Sequence, residues 1–514
     1  MKAFELEIFN KLLSGIAEEM GVVLKRSSFS PNIRERMDFS CALFDWKGEL
    51  VAQASHIPVH LGAMPETMRV ILPLFEWREG DILITNDPFH GGTHLPDITL
   101  IKPVFHKKEL LFFLLVRAHH SDVGGRVPGS MGLCESIEEE GIRILPTFLQ
   151  REGKFQESLF KELLQKMRNP EEREGDLRAM ISALQRGERR ILELLNRYEK
   201  DFLFSAIEEL KDYTERAFLE LLRRMKRGCF SFTDYLDGDG LEERLIPISV
   251  RVKITPEKVV CDFSENPRQV RGPVNAPRAV TVSSVYYVFI SLLNTLGEFP
   301  INHGLFRDIE VITKPGTILS AEYPAAVSGG NVETSQRVID VLLGALHEAL
   351  PDLIPAASCG TMNNISFGNS QFAYYETIGG GMGARPGKDG LSAVHTHMTN
   401  TMNTPIEVLE TTFPVRIERY AIRRGSGGKG KYRGGDGIIR EYFFLEPLTV
   451  SLLTERRKTK PYGLRGGSEG EPGKNFLIRK GKLIELPDKG TFEVEKGDIV
   501  VIETPGGGGY GELD

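Results

Sequence analysis

Asn86-Asp-Pro-Phe-His-Gly-Gly-Thr-His-Leu-Pro-Asp97 lies between a short apolar piece, Ile82–Thr85, and the unbroken apolar run Leu-Leu-Phe-Phe-Leu-Leu-Val at residues 110–116. A short, continuous apolar run suits a strand buried on both faces. Gly91 and Gly92 let the intervening backbone turn tightly, and Pro96 stiffens the approach to Asp97. Arg117-Ala-His-His-Ser-Asp122 follows the apolar run directly. The stretch therefore reads as strand, polar loop, buried strand, with histidine and aspartate concentrated at the strand ends.

Outward from this segment the pattern alternates between helix and strand. Leu6, Phe9, Leu13, Ile16 and Met20 recur at helical spacing and predict an amphipathic helix over residues 5–25. Strand-like pieces at 40–44, 49–52 and 82–85 are punctuated by Pro58, Pro65, Pro73 and Pro88. Residues 157–227 are rich in Leu, Glu, Arg and Lys and read as an antiparallel helical insert, with Asp176 as an N-cap. Ile248, Val250, Val252 and Ile254 mark a period of two. Residues 280–296 read as a buried helix and 334–349 as another. Beyond Val415, strands and glycine turns dominate, and Pro505–Gly511 reads as a loop or terminal arm. The expected fold class is α+β: mixed sheets with a central helical insert and a β-rich, glycine-rich C-terminal region. The expected divisions are residues 1–156, 157–227, 228–414 and 415–514.

The composition narrows the function. The 514 residues are 41 % hydrophobic and 26 % charged, which excludes a disordered or collagen-like chain. The net charge of −7 argues against a nucleic-acid partner. No stretch approaches the ~18 apolar residues of a membrane span, and Lys2, Glu5, Glu7 and Lys11 do not fit a secretory signal. Five scattered cysteines without a CxxC pair exclude a disulfide scaffold and make a reducing cytoplasm the expected location.

Seven of the eleven histidines fall within residues 56–120. Histidine is the commonest metal ligand and a proton carrier near neutral pH. His94 and Asp97, three apart on a constrained loop, are placed to grip one ion. On an extended strand His119 and His120 face opposite sides, so one of them joins the pair, and His119 is the favoured one. Two imidazoles and a carboxylate with open positions make a hydrolytic or Lewis-acid site, and this donor set permits Mn, Fe, Zn or Co. His120 and Asp122 are then proton-transfer candidates, with His90 and Asp87 in the surrounding layer. The competing reading is a hydrogen-bonded loop cluster without an ion. Glu35 and Asp38 feed carboxylates toward the same cleft or form surface ion pairs. His395 and His397 suggest substrate recognition, and residues 329–336 precede a helix whose N-terminus suits an anion. Residues 425–432, Gly-Ser-Gly-Gly-Lys-Gly-Lys-Tyr, nearly spell a phosphate loop but carry Tyr432 where Ser or Thr binds magnesium, and they lack a strand–helix context. Glycine turns between strands are the better reading there.

At these motifs the chain resembles the hydantoinase B family, which includes the B-type component of ATP-dependent hydantoinases, the C-terminal half of 5-oxoprolinase and the α subunit of acetone carboxylase. The resemblance is carried by residues 34–44, 86–97, 117–125 and 138–143, and farther on by 329–336, 397–410 and 433–437. It implies a hydantoinase A-type partner that holds the nucleotide site, in a hetero-oligomer of A2B2 or larger. It implies cyclic amide or imide substrates such as hydantoins and 5-oxoproline, or ketones in the carboxylase branch. In the amide branch the partner phosphorylates the amide oxygen with ATP, and the B-type component opens the activated ring with water. His94, Asp97 and His119 match the metal-binding positions of the carboxylase α subunit, and His120 or Asp122 would shuttle the proton. The alternatives are an α-type subunit of an acetone or acetophenone carboxylase, a scaffold subunit with a structural ion, and a metallohydrolase needing no ATP. On the hydrolase reading, His94→Ala and Asp97→Ala each remove bound metal and turnover together, measured by elemental analysis and assay. A fully active, metal-free Asp97→Ala protein contradicts it.

Overall fold

The computed structural model describes residues 3–54 and 56–513. Its N-terminal part is a seven-stranded sheet: β1 (Phe39–Asp45), β2 (Leu50–Gln53), β3 (Ile82–Thr85), β4 (Asp97–His106), β5 (Glu109–His119), β6 (Thr147–Arg151) and β7 (Lys154–Phe155). The order is β2-β1-β5-β4-β3-β6-β7, with every neighbouring pair antiparallel. The apolar run thus forms the body of a central strand. Its side chains alternate between two cores. Phe112, Leu114 and Val116 join a core with α1 (Ala3–Ser27), while Phe113 and Leu115 face a second core.

The β4–β5 hairpin turns through Lys107 and Lys108, both at positive φ (50° and 68°), the conformation of a tight two-residue hairpin turn. Val104 faces Phe112 while Phe105 faces Leu110, so Leu111 is an extra residue. This bulge sets the register beyond it and places Asp97 opposite His119. Without it Asp97 would stand opposite Ala118, and a one-residue slip moves a side chain to the other face.

The strand-like pieces at 40–44, 49–52 and 82–85 are β1, β2 and β3, and the proline-rich stretch between β2 and β3 is helical. Pro58 opens a helix, α3 (Pro58–Ile71), after α2 (Pro31–Arg34). Proline is favoured in the first helical turn, where its missing N–H leaves no bond unmade. Pro65 sits inside α3, and the helix continues to Ile71. After the short α4 (Ile137–Glu140), the helical segment consists of α5 (Glu157–Gln165), α6 (Pro170–Arg197) and α7 (Lys200–Arg224). Leu177, Met180, Leu184 and Ile191 of α6 pack with α1 in the core on one face of the sheet. Asp176 is not an N-cap, because α6 begins six residues earlier at Pro170. Its Oδ1 instead accepts the N–H groups of Phe29 (2.7 Å) and Ser30 (3.0 Å) at the entry to α2.

The period-two stretch is β9 (Ile246–Ile254), in a sheet ordered β11-β10-β9-β8 with β8 (Gly228–Leu236), β10 (Val259–Asp262) and β11 (Ile309–Ile312). The helices α8 (Arg278–Leu293) and α9 (Ser335–Leu346) complete the middle of the chain. The C-terminal region holds a four-stranded and a five-stranded sheet, the first beginning with Asn364–Gly368 and Ala373–Glu376. The architecture is α+β. Its glycine loops stack backbone on backbone: a Cβ on Gly506 would lie 1.9 Å from the Ser426 carbonyl oxygen, and one on Gly508 2.0 Å from that of Tyr462. The tail is therefore a packed layer rather than an arm. Among the described residues no helix is long and apolar enough to cross a membrane.

If the Lys107–Lys108 turn stores positive-φ strain, replacing it with Asn-Gly raises the unfolding temperature and leaves the centre intact. A lowered unfolding temperature contradicts this assignment.

Candidate metal centre

Three adjacent strands build the site in rows. In β1, β5 and β4, one row across the α3-facing side is Ala42–Leu115–Ile101 and the next is Ser40–Arg117–Thr99. The last row is Asp38–His119–Asp97, where the His119 N–H donates to the Asp38 carbonyl (3.0 Å). The face thus changes from apolar to ionisable over three rows. Arg117 ties the middle row together, donating to Thr99 Oγ1 (2.9 Å) and Thr67 Oγ1 of α3 (2.8 Å).

The loop before β4 is held from within. Asn86 Nδ2 donates to the carbonyls of Leu95 (2.8 Å) and Ile142 (2.9 Å), and Asn86 Oδ1 accepts the Ile144 N–H (2.6 Å). Gly91 lies at φ 81°, and a Cβ there would stand 2.8 Å from Thr67 Cα. This packing delivers His94 to the end of the strand row.

The imidazole nitrogens of three histidines converge on Asp97 Oδ1. His94 Nε2 lies 3.2 Å away, His60 Nε2 3.3 Å and His119 Nδ1 3.4 Å. His94 Nε2 and His119 Nδ1 are 3.2 Å apart. Asp97 Oδ2 accepts the Thr93 hydroxyl. His94, Asp97 and His119 are each at most 2 % exposed. Burial alone would raise the Asp97 carboxyl, but His94, His60 and His119 hold it well below the usual carboxylate range. Burial also lowers His119, so its neutral, ligating form prevails, although Asp38 and Asp97 oppose this.

The donors fit a divalent ion. With ligand bonds of about 2.1 Å, two ligands on one ion stand roughly 3.0 Å apart at a right angle and roughly 3.4 Å apart in a tetrahedron. His94 Nε2, Asp97 Oδ1 and His119 Nδ1 span 3.2–3.4 Å. Asp97 Oδ1 is buried and takes no aligned hydrogen bond among the described residues, as expected of an oxygen built to meet a cation. Asp38 Oδ2, 3.9 Å from His119 Nδ1, is a further carboxylate beside the set. Two other acidic clusters among the described residues are filled by lysine: Lys211 Nζ lies 2.7 Å from Asp45, and Lys489 Nζ 2.6 Å from Glu455.

The hydantoinase B/oxoprolinase family profile matches residues 2–513. The chain belongs to that family. It is 43 % identical to 5-oxoprolinase 1 of Arabidopsis thaliana over 99 % of this chain and 42 % of that one. It spans about two-fifths of the length of the 5-oxoprolinases it matches. It is 33 % identical to the B-type component of a putative D-/L-hydantoinase of a Pseudomonas species, over 97 % of this chain and 88 % of the relative. The crystal structure of an ATP-dependent caprolactamase from Pseudomonas jessenii superposes with a TM-score of 0.92 at 30 % identity, covering 100 % of this chain and 91 % of that chain. Acetone carboxylase shares the fold, with a TM-score of 0.88 at 17 % identity over 99 % of this chain and 76 % of that chain.

The remaining candidates divide within this family fold. His120 lies just past β5; burial holds its imidazole well below the usual histidine value, and Arg173 adds to the effect. Neither of its ring nitrogens has a hydrogen-bond partner among the described residues. Asp122 is engaged elsewhere, accepting from Gly124 N (2.7 Å), Gly129 N (2.9 Å) and Arg168 Nη1 (2.9 Å). Glu35 pairs with Arg34 (3.0 Å), and Asp38 is the carboxylate of that segment that turns inward. His90 pairs with Asp87 (2.7 Å) in the loop. In the near-phosphate loop, the Gly428 N–H donates to the Gly507 carbonyl (2.8 Å) and the Tyr432 N–H to that of Tyr510 (2.9 Å).

Sequence reasoning missed the role of His60. Its Nδ1 meets Ser40 Oγ (3.2 Å) while Nε2 meets Asp97, so it orients the carboxylate. The available signal was His60 itself, two residues after Pro58, a proline suited to start a helix. His60→Ala should weaken metal affinity about 10- to 100-fold without unfolding the chain, measured by metal titration and thermal melting. Unchanged affinity contradicts the orienting role.

Proposed function

We propose that the chain is the B-type, ring-opening component of an ATP-dependent hydantoinase/oxoprolinase system acting on a lactam or hydantoin-type ring. The observation that carries this reading is the buried His94–Asp97–His119 donor set, in a chain that superposes over its full length on an ATP-dependent caprolactamase. A divalent ion held there, Mn, Zn or Fe, supplies Lewis-acid polarisation of a carbonyl or a hydroxide near neutral pH.

The chain's own residues do the rest. His60 and Thr93 fix the two oxygens of Asp97. His120, buried and without a hydrogen-bond partner among the described residues, is assigned the proton that the attacking water loses. Asp122 and Glu35, both engaged by arginine, are left out of the proton path in this proposal.

ATP activation is assigned to an A-type partner in a cytoplasmic hetero-oligomer of A2B2 or larger. The similarity to a relative named as one component of a multi-subunit hydantoinase supports this assignment. The engaged N–H groups of Gly428 and Tyr432 in the glycine loop at 425–432 agree with it.

The test is co-expression with an A-type chain and assay against lactams, hydantoins and ketones with ATP, alongside elemental analysis. The expected product is a ring-opened amino acid, formed only with ATP and both chains. A new carboxylate that depends on bicarbonate places the chain in the carboxylase branch instead. Full turnover by the A-type chain alone reduces this chain to a scaffold.

A further inference from the structure

Residues 330–334 form a π-helical turn at the entry to α9, a widened geometry common at functional sites. Two sets of contacts hold the segment. On one side, the N–H groups of Val327 and Ser328 donate to Glu140 (2.9 Å each). From the other side, the His119 ring stacks on Tyr375 (4.6 Å, 9°), Tyr375 OH donates to Asn364 Oδ1 (2.8 Å), and Asn364 Nδ2 donates to Glu333 Oε1 (2.7 Å).

Glu333 is wholly buried. Its two oxygens differ. Oε1 accepts from Asn364 Nδ2 and from the Met362 N–H (2.9 Å). Oε2 is buried and has no hydrogen-bond partner among the described residues. The Thr361 hydroxyl, which accepts from Asn363 N (3.0 Å) and Glu455 N (3.2 Å), lies beside the carboxyl without an aligned hydrogen bond to it. Asn331 Oδ1 on the same turn and Gln336 Oε1 in the first turn of α9 are likewise buried and unpartnered. A buried carboxyl oxygen without a partner is costly unless a ligand meets it. Among the described residues no arginine or lysine is paired with this carboxyl, unlike Glu376 or Glu455. Burial pushes Glu333 up to about 8, so it carries a proton near neutral pH, and with Oε1 accepting two N–H groups that proton sits on Oε2.

We propose that Glu333 is the general acid that delivers a proton to the ring nitrogen as the cyclic amide opens. This rests on the ring-opening reading above and names the residue that directs it. An amide activated as its O-phosphoryl imidate adds water at the ring carbon. The adduct has two ways to collapse: it expels phosphate and returns the lactam, or it expels nitrogen and opens the ring. Phosphate is the better leaving group, so opening requires a protonated nitrogen. The water oxygen forms the new C–O bond, the C–N bond breaks with its electron pair going to nitrogen, and the nitrogen takes its proton from Glu333 Oε2. The proton that the water gives to His120 and the one left on its oxygen both end on nitrogen, one of them by way of Glu333, so base and acid are both regenerated. The acyl phosphate that remains is hydrolysed by a second water.

The experiment compares wild type, Glu333→Gln and Glu333→Asp in the complex with the A-type chain. Ring-opened product, phosphate released from ATP and metal content are measured with caprolactam and with hydantoin as substrates. Glu333→Gln keeps the contacts of Oε1. It should retain metal and KM and lose product formation about 100-fold or more, while phosphate release continues and uncouples from ring opening. The loss should be larger for caprolactam, whose leaving nitrogen is basic, than for hydantoin, and Glu333→Asp should fall between wild type and Glu333→Gln. Full coupling in Glu333→Gln, or an equal loss of product, phosphate release and metal in both variants, overturns the proposal and leaves the ring-opening reading standing. A wild-type complex that opens no cyclic amide overturns both.

Discussion

A single carboxylate oxygen, Asp97 Oδ1, is the point on which the N-terminal half of the structure converges. A buried carboxylate is unfavourable unless positive charge or hydrogen-bond donors surround it. Here three imidazoles from three separate elements, the loop before β4, the end of β5 and the first turn of α3, crowd this oxygen and leave it open to a cation. None of these elements can shift without breaking that convergence. The bulge at Leu111 is the backbone device behind it, since it decides that Asp97 and His119 share a face. The gradient from Ala42–Leu115–Ile101 to Asp38–His119–Asp97 then lets one sheet serve as apolar core and ionisable site within three rows.

Much of this was legible in the sequence, and what was not has physical reasons. The run at 110–116 is short and continuously apolar, which suits a strand buried on both faces, and the glycines and prolines of 86–97 mark a constrained loop. Spacing put His94 beside Asp97, and strand alternation admitted one of His119 and His120 without choosing between them; the structure turns His119 toward the pair. α3 was not legible, because Pro58 and Pro65 read as breakers, whereas the structure uses Pro58 as a helix start and accommodates Pro65 inside the helix. With α3 unseen, His60 had no reason to face Asp97. Asp122 was ambiguous for another reason: its partner Arg168 is 46 positions away, so only the tertiary fold reveals that the carboxylate is engaged. The same holds for Asp176, whose N–H donors lie 146 and 147 residues earlier.

Arg36 connects this half of the molecule to the opposite wall. Buried on α2's C-terminal side, it donates to the Tyr375 carbonyl (3.0 Å), Thr377 Oγ1 (3.0 Å), Thr401 Oγ1 (3.1 Å) and the Met402 carbonyl (3.3 Å). That brings the 373–402 region against the centre and stacks Tyr375 on His119. Farther out, Arg337 and Arg456 share Asp340 and Asp234, and this buried network anchors α9 to the C-terminal sheets. Removing one member of such a network leaves uncompensated charge in the interior. The turn at 330–334 is therefore held as firmly as the histidines.

The central claim is that His94, Asp97 and His119 hold one divalent ion. X-ray absorption or anomalous diffraction on the metal-loaded chain tests it most directly. The expected result is an ion with two imidazole nitrogens and a carboxylate oxygen at about 2.0–2.2 Å, positioned at these three side chains. An ion bound elsewhere, with the three side chains still in contact only with one another, would contradict it.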